Sequence, residues 1–218
     1  MRTKNKYMRI IFCLILMLVM ININAQSFTD AEKKIILGGD TNTMLRVIPL
    51  TEPAGAKALK AVSKDISFND ALLPILKRRM LKSVLDSSRR GVGIAAPQVG
   101  INRNLIWVQR FDKPGQPFEF YINPKIVWRS SILCQGPEGD LSFEGSGDVI
   151  RNFSIMISYT DIQGTQHLEM LEDFSAIIFQ HETDHLFGTL FTDRLEEQKN
   201  KKYTPFRPVR AKALLIEN

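Results

Sequence analysis

Nine residues, Gln180-His181-Glu182-Thr183-Asp184-His185-Leu186-Phe187-Gly188, constrain this chain more than any other stretch. In a helix, His181 and His185 stand about one turn apart on one face, so both imidazoles can reach a single ion while Glu182 sits beside it. The flanking residues predict that helix. Phe174, Ile177, Ile178, Leu186 and Phe187 recur at helical spacing, Asp173 is placed to cap the start, and Gly188 to end it. H-E-x-x-H is the pattern of metal hydrolases. The chain has three histidines, two of them here. A packed histidine pair on an ordinary amphipathic helix is the competing reading, but an apolar helix, a cap and a terminating glycine all surround the pair.

Two histidines do not close a catalytic site, because hydrolytic zinc usually takes three protein ligands and keeps one position for water. Position 191, where one protease class carries its third histidine, is Phe191; another class takes a glutamate downstream, for which only Glu196 and Glu197 are near. The third ligand is therefore sought upstream.

The chain opens with Arg2, Lys4, Lys6 and Arg9, followed by the apolar run Ile10 to Ile21, then Asn22-Ile23-Asn24-Ala25 and Gln26. This order of charge, short apolar run and small residue predicts an export signal over residues 1–25 and a periplasmic or extracellular protein; a retained signal anchor is the alternative. The run is short for a membrane span of about 20 residues. Cys13 lies inside it, which argues against a lipoprotein. The first 25 residues hold four of the 29 basic residues and none of the 23 acidic ones, so the formal charge of +6 falls to +2 without them. Basicity then gives no reason to expect nucleic acid as a partner. The remaining excess gathers near the end, at Lys199, Lys201, Lys202, Arg207, Arg210 and Lys212, and reads as a solvated tail over 196–218. Cys134 alone survives processing, which precludes an intrachain disulfide.

The rest divides into a flexible arm over 26–43, punctuated by Gly38-Gly39-Asp40, and one domain over 44–195. Met44 to Leu50 reads as a short strand. Ser67 to Arg90 reads as mostly helix, with Pro74 marking where the continuous part begins. Gly91-Val92-Gly93-Ile94-Ala95-Ala96-Pro97-Gln98 is a tight run preceding a strand at Leu105 to Gln109. A phosphate loop fits it poorly, since no Lys-Ser or Lys-Thr pair follows. Strands are expected at Phe118 to Ile122 and Lys125 to Trp128, an interruption at Gly136 to Ser142, and a hairpin of Val149 to Tyr159 with Thr165 to Leu171. The order predicts an α+β fold with mainly antiparallel sheets packed around the helix that carries H-E-x-x-H.

Gly91 to Gln98, Glu138 to Ser142 and Gln180 to Gly188, in that order, resemble the three motifs of the peptide deformylase family, which removes the formyl group from the N-terminal methionine of nascent peptides. The resemblance spans roughly Met44 to Leu195. The first family motif reads G-x-G-L-A-A-P-Q, with Ile94 here in place of leucine; the third, Q-H-E-x-D-H-L-x-G, is intact. The second reads E-G-C-L-S, its cysteine being a metal ligand, and here that position is Asp140. A carboxylate carries the same single negative charge as a thiolate, and sites of two histidines and one carboxylate are common in zinc hydrolases.

The resemblance implies one divalent ion, Fe2+ or Zn2+, on Asp140, His181 and His185; the family often uses iron(II), and the harder oxygen donor is expected to make zinc more competitive. It implies Glu182 as general acid and base, and an oxyanion held by the Gln98 amide and the Leu141 backbone N–H. It further implies that Gly93 and Ile94 pair with substrate backbone, that Glu138 is a buried carboxylate behind the ligands, and that Phe174, Ile177 and Ile178 line a pocket for a methionine-like side chain. The expected partner is a formylated peptide bound by a monomer, with no stable membrane span after signal cleavage. Export fits poorly with deformylation at the ribosome. Besides an exported deformylase, two alternatives stay open: an exported metallohydrolase for a different N-acyl or peptide substrate, and a non-catalytic protein that binds formyl-peptides or metal.

Overall fold

Leu105, Ile106, Trp107 and Val108 are all buried, as expected of a strand covered on both faces. The computed structural model, which describes residues 26–204, puts them in β2 (Leu105–Gln109), second in a five-stranded antiparallel sheet of order β1-β2-β3-β6-β7. The other members are β1 (Gly93–Ala95), β3 (Phe118–Arg129), β6 (Ser154–Thr160) and β7 (Gln166–Glu172). A second sheet pairs β4 (Leu133–Asp140) with β5 (Phe143–Asn152). The helices are α1 (Asp30–Leu37), α2 (Pro53–Leu59), α3 (Leu73–Val84), α4 (Asp173–Leu186) and α5 (Phe191–Gln198), with a 3-10 turn at Ala96–Val99.

Successive residues of a strand face opposite sides, and this alternation splits the core in two. Ile94, Trp107 and Phe120 pack with Leu73, Leu76, Met80 and Val84 of α3 on one face. Ala95, Ile106 and Tyr121 pack with Ala176, Phe179 and Leu186 of α4 on the other. The helix bearing the two histidines is thus sandwiched between the large sheet and the β4–β5 hairpin, and the α+β architecture is as expected. Truncating fully buried Phe179 to alanine would cost about 3–5 kcal/mol.

Several local expectations are corrected. The 26–43 segment is not a flexible arm: Thr29 and Glu32 form a reciprocal cap on α1, Ile36 is fully buried, and the buried Arg103 guanidinium grips Glu32 through two bonds of 2.8 Å. Arg79 donates to the carbonyls of Ile36, Gly38 and Thr43, tying the segment to α3. Met44 to Leu50 forms no strand: the Leu45 N–H and C=O bond the Ser83 hydroxyl instead. The two strands expected over 118–128 are one, with an irregular register around Asn123, whose φ is +51° and whose amide bonds both backbone groups of Ile66. Gly136 to Asp140 does not interrupt the strand pattern but belongs to β4; residues 149–152 belong to β5, leaving 154–160 to pair with β7.

Helix α4 starts at Glu172 as N-cap without any side-chain cap, so Asp173 does not serve as one; its φ of +52° turns β7 directly into the helix. The end is as expected. Gly188 has a φ of +69°, and a Cβ there would fall 2.5 Å from the Lys60 carbonyl oxygen, while the Leu186 carbonyl accepts from Ser63 N. The tail expected from residue 196 begins later, since α5 runs to Gln198. The export signal and the tail residues beyond 204 lie outside the described residues. Among the described residues no helix is long and apolar enough to cross a membrane.

Candidate metal centre

The i, i+4 spacing on α4 sets His181 and His185 edge to face, with ring centroids 5.0 Å apart. The last residue of β4 meets them: Asp140 Oδ2 lies 3.2 Å from His185 Nε2 and 4.0 Å from His181 Nε2. One ligand atom from each of Asp140, His181 and His185 lies within 4.8 Å of the others. Tetrahedral bonds of about 2.0–2.1 Å place ligand atoms about 3.3 Å apart, which the 3.2 Å edge matches and the 4.0 Å edge exceeds. Asp140 Oδ2 and both ring nitrogens of His185 are buried with no hydrogen-bond partner. Unsatisfied buried polar groups are costly, and a cation bound between these donors would satisfy Oδ2 and one nitrogen at once. The residues present fit a divalent ion.

The two oxygens of Asp140 are treated differently. Oδ1 accepts from the Gln98 side-chain amide at 3.1 Å and from Ser142 N at 2.7 Å, which leaves Oδ2 to face the histidines. Gln98 is itself oriented by Ala95 N, which donates to its Oε1. Burial opposes ionisation of Asp140, but the close approach of His185, the charge of His181 and the Ser142 N–H outweigh it and hold the carboxyl at about 2.

Behind His181 stands a charged chain. Its Nδ1 bonds Glu138 Oε2 at 2.9 Å; Glu138 takes a bidentate pair from Arg151 at 2.7 and 2.8 Å; Arg151 also bonds Asp184, which takes a second bidentate pair from Arg194. Burial works against Glu138's charge, yet the bonds from Arg151 and His181 bring it down to about 2. Such partners fix the ring orientation of a ligating histidine.

Glu182 is the exception among these carboxylates. It is buried, its Oε2 has no partner, and burial raises it to about 8 against the opposing charge of His181. It lies against Gly93, where a Cβ would fall 2.4 Å from Glu182 Oε1. A cavity of about 320 Å³ opens onto this group, lined by Gly93, Gln98, Asp140, Leu141, His181 and Glu182 and, on its apolar side, by Phe174, Ile177 and Ile178. Ile94 does not line it: its side chain is fully buried in the α3-facing core, so only its backbone, on edge strand β1, is placed to meet a ligand. A larger groove of about 830 Å³ lies alongside, sharing Arg89 and Leu141 but none of the histidines or carboxylates of the centre.

Sequence reasoning brought forward the ligands, Glu182, Gln98 and the supporting Glu138, but not the rest of the charged chain behind His181. Arg151, Asp184 and Arg194 were missed; Asp184 stands inside the third motif and could have been noticed there, whereas Arg151 has no signal beyond its position on the strand after Glu138. Cys134 and His167 are elsewhere, the latter bonded to Asp161 and stacked on Tyr159.

A sequence profile of the family described as polypeptide deformylase matches residues 50–201. A peptide deformylase from a Caulobacter species is 36% identical over 159 residues, covering 72% of this chain and 91% of that protein. One from a Synechocystis species is 38% identical over 144 residues, covering 65% and 76%. Among solved structures, class I type b peptide deformylase from Acinetobacter baumannii with Met-Ala-Ser bound aligns with a TM-score of 0.62 and 34% identity, over 70% of this chain and 99% of that one. Peptide deformylase from Synechococcus elongatus in complex with actinonin aligns with a TM-score of 0.60 and 36% identity, over 69% and 78%.

Proposed function

The chain belongs to the peptide deformylase family, a family of metal-dependent hydrolases acting on formyl peptides, and on that premise we propose that it removes the N-formyl group from formyl-methionyl peptides outside the cytoplasm, with Asp140 as third metal ligand. The observation that carries the proposal is the convergence of Asp140, His181 and His185, with unpartnered buried donor atoms, beside an unpartnered Glu182.

A divalent ion held by Asp140, His181 and His185 would supply a Lewis acid that polarises the formyl oxygen and makes water a nucleophile near neutral pH. Fe2+ and Zn2+ are the candidate ions, since sites of two histidines and one carboxylate hold either. With a cation's charge beside it favouring the carboxylate form, Glu182 accepts a proton at its free oxygen as the water oxygen bonds to the formyl carbon. It returns that proton to the peptide nitrogen as the carbon–nitrogen bond breaks, releasing formate and a free amine. Gln98 commits one amide N–H to Asp140 and has a second for the oxygen that becomes negative; the Leu141 N–H is the other donor. The backbone of Gly93 and Ile94, on the open edge of β1, pairs with the peptide, and Phe174, Ile177 and Ile178 receive the methionine side chain. Glu138 and Arg151 hold His181 in position. The first 25 residues set the location by directing export.

Purified protein should contain about one ion per chain and release formate from formyl-Met-Ala. Bound metal without formate release would leave a metal-binding or differently specific protein; absence of metal would remove the hydrolase.

A further inference from the structure

The cavity that contains Glu182 and Asp140 also has Arg89 and Arg90 in its wall, both exposed. Its carboxylates do not neutralise them, since Glu138 is held by Arg151, Asp140 faces His185, and Glu182 lies buried against Gly93. Arg89 is anchored: one of its nitrogens donates to the carbonyls of Asp140 and Phe143, at 2.9 and 2.8 Å. A guanidinium has five N–H donors, so most of its donors stay available at the rim. In the neighbouring groove Arg46 pairs with Glu52, and the acids beside this rim are Asp86, which bonds Ser88, and Glu144.

An N-formyl peptide has no terminal ammonium. If its side chains are neutral, its only charge is the C-terminal carboxylate, and in extended form three residues place that carboxylate about 10 Å from the formyl end. We infer that Arg89 and Arg90 form a carboxylate-binding rim, so that this enzyme selects short formyl-peptides with a free C-terminus, or peptides with an acidic side chain at that distance, over neutral ones. The inference rests on the deformylase reading of the same site. It gives an exported family member a substrate suited to its location: released short peptides in place of nascent chains, whose C-termini are still attached.

The test compares kcat/KM for formyl-Met-Ala-Ser as free acid, the same peptide as C-terminal amide, and formyl-Met-Ala-Asp amide, using the metal-loaded protein. The acid is expected to exceed the amide about threefold to tenfold, the size of one or two exposed ion pairs, with the advantage shrinking at high salt. Arg90→Gln should bring the ratio toward one and Arg90→Glu should invert it. The aspartyl amide shows whether a side-chain carboxylate serves as well as the terminus. A ratio of one in the unaltered enzyme, with turnover of both peptides, overturns the inference and leaves the deformylase reading intact. A ratio above one that survives Arg90→Glu removes Arg90 from it. Turnover of none of the three overturns the deformylase reading, and the inference with it.

Discussion

Asp140 Oδ2 lies 3.2 Å from His185 Nε2 with neither atom hydrogen-bonded, while Oδ1 of the same carboxylate is held by Gln98 and Ser142. A thiolate at this position offers one sulfur, whereas the carboxylate divides ligation and anchoring between two oxygens. Asp140→Cys should therefore keep a metal ion. Loaded with cobalt(II), it should show a thiolate-to-cobalt absorption band in the near ultraviolet that the unaltered protein lacks. If the two spectra coincide, position 140 does not touch the ion.

Glu182 has a free, buried oxygen beside the proposed ligands but is not needed to hold an ion. Glu182→Ala is expected to keep its metal by elemental analysis while formate release falls by about 10²–10⁴, the range for losing a general acid–base. Near-normal turnover would assign the proton transfers to another group.

At Gly93 a single methyl would collide with Glu182 Oε1 at 2.4 Å. Since displacement of a reacting group by about 1 Å can cost about 100-fold in rate, Gly93→Ala should lose about that much kcat with the fold retained by circular dichroism. Full activity would mean that Glu182 has room to move.

Far from the centre, fully buried Arg110 bonds Asp112, Glu119 and Glu169. The Arg110 bonds hold Asp112 well below the usual carboxylate range; burial opposes the same effect at Glu169 but does not cancel it. With folded values below the unfolded ones, their contribution is fully present above about pH 4 and is lost as pH falls through the folded values. Melting temperature should thus drop steeply below pH 4, and Asp112→Asn should flatten that slope. A variant slope parallel to that of the unaltered protein would contradict this.

The histidine helix was legible because its signals are local: apolar residues at helical spacing and Gly188 act within a turn or two of each other. The three separated motifs likewise named the residues that meet at the cavity. What escaped depends on remote partners. Gly136, Pro137 and Gly139 disfavour a strand, yet pairing with β5 makes one. Met44 to Leu50 has strand-like residues, but the Ser83 hydroxyl takes the backbone groups of Leu45. The 26–43 segment read as loose because its anchors, Arg79 and Arg103, lie tens of residues away. Arg151 and Arg194 became visible only when strand and helix brought them to Glu138 and Asp184.

The most direct test is the metal content of the purified protein beside its Asp140→Ala variant, measured by elemental analysis with folding checked by circular dichroism. One ion per chain in the first and almost none in the second is the predicted result. Equal metal in both, or none in either, would contradict a centre built from Asp140, His181 and His185.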